Sequence, residues 1–158
     1  MRLALLFIGT SVWAATQAGS SVNDVVALVP DAGVLFAGDL VEECAPPSFG
    51  DAFPLDWPAT LGQLLDAAGE GRVVPGHGEV VDRDFVAGQL ADVAFLAEAA
   101  RRNWPQLQVA GHDPALPPPG DLVDDAARHL GWPEEPVRTA LSRGIAQAAG
   151  RLRVPAAP

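Results

Sequence analysis

The chain contains no lysine, and its ten basic residues are all arginine, set against 20 acidic ones. A surface that grips nucleic acid needs clustered Lys or Arg facing the phosphates. Here the arginines are scattered and the net charge is −10, which argues against nucleic acid as a partner; the acidity reads as a solubility feature. Cysteine occurs once, at Cys44. One thiol can form neither an intrachain disulfide nor a thiolate cage for a metal, and Cys44 reads as a small apolar filler in a loop. Histidine is limited to His77, His112 and His129. No stretch reaches the ~18 unbroken apolar residues of a membrane span, so no membrane partner is expected.

What remains is enough for a core. With 158 residues, 49% of them apolar, there is room for one domain, or one domain with an appendage. Residues 1–23 form an atypical N-terminal segment with two readings. Arg2 and the apolar residues after it, with Ala18 before a cut, resemble a short secretory signal. Leu3-Ala4-Leu5-Leu6-Phe7-Ile8 reads equally as a buried strand. Localisation follows from that choice: cytoplasmic for the strand, secreted for the signal.

Asp24 to Val29 and Val34 to Ala37 read as a hairpin across Pro30-Asp31-Ala32-Gly33. Asp56 or Trp57 caps a helix with Pro58 in its first turn. Leu61, Leu64, Leu65 and Ala68 give it one apolar face, and Gly69 stops it. Val73-Val74 is a short strand. A longer helix is expected from about Asp84 to Arg102, with Val86, Leu90, Val93, Leu96, Ala97 and Ala100 on its buried face. Residues 103–120 hold Pro105, Pro114 and Pro117-Pro118-Pro119, which read as a linker. Residues 121–150 carry two short helical patterns, one stopped by Gly131 and one opened by Pro136. Residues 151–158 form a tail. Strand, strand, helix, strand, helix is an α/β layer arrangement, and the continuous apolar character of the strands suits a sheet covered on both sides.

Two segments carry chemistry. Val34-Leu35-Phe36-Ala37 leads into Gly38-Asp39, and Val73-Val74 leads into Pro75-Gly76-His77-Gly78. A carboxylate and an imidazole at the ends of neighbouring buried strands can share one metal ion. An oxygen and a nitrogen donor together suit Zn²⁺ or Fe²⁺ better than Mg²⁺ or Ca²⁺. The other histidines read differently: His112 as a solvated loop residue, His129 as a cation near a helix C-terminus. Glu42-Glu43 read as a solvated loop edge, and Trp57 and Trp132, each before a Pro, as core packing.

Val34 to Leu40, the helix after Trp57-Pro58-Ala59-Thr60-Leu61, and Val73 to Gly78 together resemble the C-terminal half of a metallo-β-lactamase superfamily hydrolase, over residues 24–102. The resemblance implies part of an αββα sandwich with a short helical C-terminal extension. It implies that Asp39 matches a carboxylate bridging two zinc ions and His77 the last histidine of the second zinc. It further implies hydrolysis of a small-molecule ester, thioester, amide or phosphoester bond by a metal-bound hydroxide. The chain departs from the family pattern in the remaining donors. There is no H-x-H-x-D-H motif, and Ser20 stands where a Gly-His-Thr histidine is expected. Two donors are fewer than the three a catalytic zinc needs. The expectations are therefore a truncated hydrolase, weakly active or inactive alone, or a non-catalytic remnant or interaction module whose exposed half-sheet is covered by an oligomer.

Overall fold

The computed structural model describes residues 4–7, 13–17, 19–21 and 24–153. Five strands form one sheet in chain order: β1 (Ala4–Phe7), β2 (Trp13–Gln17), β3 (Asp24–Val29), β4 (Val34–Glu42) and β5 (Arg72–His77). The first four are antiparallel, and β5 runs parallel to β4. The β3–β4 hairpin turns through a single 3₁₀ turn, Pro30–Ala32, closed by Gly33 at φ 59°. A left-handed backbone there favours glycine, and the Gly33 N–H returns to the Pro30 carbonyl at 3.0 Å.

The parallel β4–β5 pair requires a crossover, which α1 (Trp57–Ala68) supplies. Trp57, Leu61, Leu64 and Leu65 are buried, as the 3.6-residue period anticipates. Trp57 is fully enclosed and donates its indole N–H to the Leu40 carbonyl at 3.3 Å, so the helix start is tied to β4. Arg83 closes the other end by donating to the carbonyls of Leu65 and Gly69. Ala4–Phe7 is a strand and pairs with Trp13–Gln17. The signal reading turns on Ala18, which lies outside the described residues, as does the tail beyond 153.

The long helix differs from expectation. It is α2 (Arg83–Val109), and it runs through Pro105 into the segment read as a linker. Arg102 is therefore not in its last turn. Proline removes one hydrogen bond and crowds the carbonyl four residues earlier. Here that carbonyl belongs to Arg101, and both residues are exposed, so water can satisfy the freed group. Trp104 and Leu107, flanking the proline, pack against the core and hold the last turns in place.

Two further helices, α3 (Gly120–Leu130) and α4 (Glu134–Ala148), complete the chain. Gly131 ends α3 at φ 68°. The helical extension shares the core: Val123, Ala126, Val137, Leu141 and Ile145 join Leu35, Val73, Val93 and Leu96 in one apolar cluster. α4 also grips the loop before α1. Arg143 donates to the carbonyls of Ala52 and Gly50, while Gln147 bridges the Leu55 N–H and the Asp56 carboxylate.

The helices lie on one face of the sheet. Leu35, Ala37 and Val73 point into them and are buried. On the other face Val25 and Phe36 are 59% and 47% exposed. The architecture is part of an αββα-type sandwich with a helical extension.

Contact between α2 and α4 depends on small residues. A Cβ at Gly144 would lie 2.7 Å from the Ala100 Cβ. Gly144→Val is expected to cost about 1–3 kcal/mol by overpacking. Gly62→Ala in α1, where a Cβ meets nothing closer than 4.0 Å, is expected to add about 0.5–1 kcal/mol. Urea unfolding of the two variants checks both signs.

Candidate functional site

Parallel pairing brings the C-terminal ends of β4 and β5 to the same edge of the sheet, and both sequence-predicted donors are found there. The register explains how they meet. Gly38 pairs with Pro75, but the next pair is Glu42 with His77. Four steps along β4 match two along β5, so β4 bulges between them. A bulge re-aims side chains locally. Gly38 starts it at φ 56°, and Asp39 turns outward while Leu40 and Val41 are buried.

β5 leaves the sheet at the same level. The chain turns back after His77, and Val73 and Val81 exchange two backbone hydrogen bonds of 2.9 Å each. His77 therefore sits near the tip of a short excursion, anchored where its carbonyl accepts the Glu43 N–H at 2.9 Å. Gly78 has φ 103°, and a Cβ there would meet the Glu43 side chain and the Cys44 backbone. A Cβ at Gly76 would strike the Asp39 carboxylate and lie 2.9 Å from both the Asp39 nitrogen and the Gly38 carbonyl carbon. These glycines allow the two strand ends to touch.

The result is a facing pair. His77 Nε2 lies 3.7 Å from Asp39 Oδ1, with both side chains about two-thirds exposed (65% and 64%). Two donors bound to one tetrahedral zinc, each about 2.0–2.1 Å from it, lie about 3.3 Å apart. The observed separation is wider than that spacing. The remaining positions are not filled by this chain's described residues: no group of three His, Cys, Asp or Glu side chains among them could hold a metal ion. Cys44 is exposed and completes no such group. The donor set does not fit a catalytic zinc, which takes three protein ligands.

Neighbouring residues are engaged elsewhere. Ser20 is buried, and its hydroxyl donates to Asp24 Oδ1 at 2.7 Å. The same carboxylate group accepts the Ser21 N–H and hydroxyl at 2.9 and 2.8 Å, so Ser20 belongs to a turn that starts β3. Glu42 is half-buried rather than a solvated edge. Burial pushes its carboxyl up from the usual range, the Ser48 N–H pulls it back, and Asp39 adds to the rise. His129 is in the last turn of α3 as expected and also stacks on Phe95 at 4.1 Å. His112 departs from the solvated reading: it is half-buried, and its Nε2 is closed off without a hydrogen-bond partner among the described residues.

One positioning residue was not anticipated. Gln89 of α2 is buried. Its amide accepts the Glu42 N–H at 3.1 Å and donates to the Leu40 carbonyl at 2.8 Å. The bulge leaves these β4 groups without strand partners, and a buried backbone group needs one. The only sequence signal was a Gln beside the apolar stripe of Val86, Leu90 and Val93.

No protein-family model matches the sequence, and no curated protein does. Solved structures do match in fold. VMB-1 is 25% identical over 61% of this chain and 47% of its own, with a TM-score of 0.55. A metallo-β-lactamase from Pontibacter korlensis is 24% identical over 59% of this chain and 46% of its own, with a TM-score of 0.51. The metallo-β-lactamase FIM-1 from Pseudomonas aeruginosa, in a mono-zinc form, is 15% identical over 60% and 44%, with a TM-score of 0.53. The chain shares the metallo-β-lactamase fold at this distance, and it spans less than half the length of these structures. No helix among its described residues is long and apolar enough to cross a membrane.

Gly76→Ala is expected to separate the strand ends and cost about 1–3 kcal/mol. Thermal melting reads the loss. The change should also shift the His77 imidazole resonances in NMR spectra, because the added methyl displaces Asp39.

Proposed function

We propose that this chain is a non-catalytic interaction module of metallo-β-lactamase fold, built around the C-terminal half of that domain. The observation that carries this reading is the donor count: Asp39 and His77 face each other without a third ligand among the described residues. The sheet supplies the interaction surface. On its open face Ala27 pairs with Phe36 and Phe36 with Val74, while Val29 pairs with Val34 and Val34 with Arg72. Side chains alternate across a strand, so Val25, Ala27, Val29, Val34, Phe36 and Val74 share this face, with Arg72 the one charge among these positions. An apolar face of this kind is normally packed against another layer, and a second copy of the chain offers the same face.

A second reading rests on the 3.7 Å approach of His77 to Asp39. This reading takes the pair as two zinc donors and makes it part of a hydrolytic site for a small-molecule ester, thioester or amide. That site requires at least one further ligand from outside the described residues.

Elemental analysis of the purified chain separates the two. Zinc well below one per chain is expected; two per chain, with hydrolysis abolished by Asp39→Ala, would establish the hydrolase instead. Sedimentation tests the surface. Concentration-dependent association is expected, and Phe36→Glu should shift it to monomer; a wild-type monomer with a sharp cooperative melt overturns the module.

A further inference from the structure

A cleft of about 480 Å³ opens beside the strand ends, between the segment following β4, the first turns of α2 and the α3–α4 turn. That volume lies in the range of small-molecule sites. α2 presents Phe85, Gly88, Gln89 and Asp92 to it, the i, i+3, i+4, i+7 face of the helix. Pro46 and Pro47 line the opposite wall, and Trp132 closes the end. Glu42, Glu43 and Asp92 bring carboxylates to this apolar lining, and no arginine borders it.

The groups on α2 differ in what they already hold. The Gln89 amide is engaged by β4. Among the described residues, the Glu42 carboxylate accepts one long bond of 3.3 Å, from the Ser48 N–H. Asp92 is half-buried and takes no hydrogen bond from the described residues; His129 of α3 is near enough to act on it electrostatically. Burial pushes the Asp92 carboxyl up from its ordinary value, and His129 pulls it down. A partly desolvated carboxylate next to aromatic rings favours a cation with an apolar body. Rings attract cations to their faces, and opposite charge offsets the lost hydration. Gly88 keeps the space open, because a Cβ there meets nothing within 4 Å.

We propose that this cleft binds an organic ammonium ion carrying an aromatic group, with the cation between Asp92 and Glu42 and the ring against Trp132 and Phe85. The inference is independent of the zinc count and of the sheet-face interaction.

Calorimetric titration of the full chain with benzyltrimethylammonium tests it, with benzoate as the charge-reversed probe of similar size. Saturable 1:1 binding of the cation is expected, with none of benzoate. Asp92→Asn should weaken binding at least tenfold. Gly88→Leu should do the same by filling the space, without altering charge, and should keep α2 helical by circular dichroism. Glu70→Gln, a remote exposed carboxylate, should leave the affinity within twofold. Equal binding of benzoate, or full affinity in both cleft variants, overturns the site. So does a loss in Glu70→Gln as large as that in Asp92→Asn, because it would reveal diffuse attraction to an acidic surface.

Discussion

The parallel pairing of β4 with β5 is the constraint on which the rest of this molecule depends. Antiparallel neighbours would put the ends of the two strands at opposite edges of the sheet. Parallel neighbours put them together, and they force the intervening chain over one face as a helix. That single pairing explains the position of α1, the burial of Leu35, Ala37 and Val73 beneath the helices, and the meeting of Asp39 with His77. The bulge in β4 and the glycines at 76 and 78 then adjust the approach of the two segments.

A bulge has consequences beyond the side chains it re-aims. It removes backbone groups from the ladder, and Gln89 takes them up from α2. The same helix carries Asp92 three residues further on, so the residue that repairs the sheet also sets the wall of the neighbouring cleft. The donor pair and the cleft are thus neighbours, joined through Gln89 of α2. They differ in character, one exposed and polar and the other largely apolar, and Glu42 on the cleft wall feels the charge of Asp39.

Much of the fold was legible in the residues. The β3–β4 hairpin, the α1 stripe, and the glycine stops at Gly69 and Gly131 follow from short-range chemistry and appear where that chemistry puts them. Pro105 marks the limit of such reasoning. Proline disfavours a helix interior, yet α2 continues past it because the crowded carbonyl faces solvent and Trp104 and Leu107 are held by the core. The helical extension likewise lacked any signal that it would join the main cluster, because the packing of Ala100 against Gly144 links residues 44 apart in the chain. His112 and Glu42 were misjudged for the same reason: exposure is decided by whatever folds over a residue.

By itself, the sequence determined that a carboxylate, Asp39, and an imidazole, His77, stand at the ends of two apolar strand runs. That depends on residue identity and local apolar runs, which no later packing alters. It also settled that Lys-based phosphate recognition is unavailable to this chain. Only the tertiary structure decided that Asp39 and His77 face each other at 3.7 Å, that Ser20 is committed to Asp24, and that Asp92 borders a cleft. The physical reason is distance along the chain. Each of these facts depends on register, bulging or helix packing between segments that meet only when the core closes.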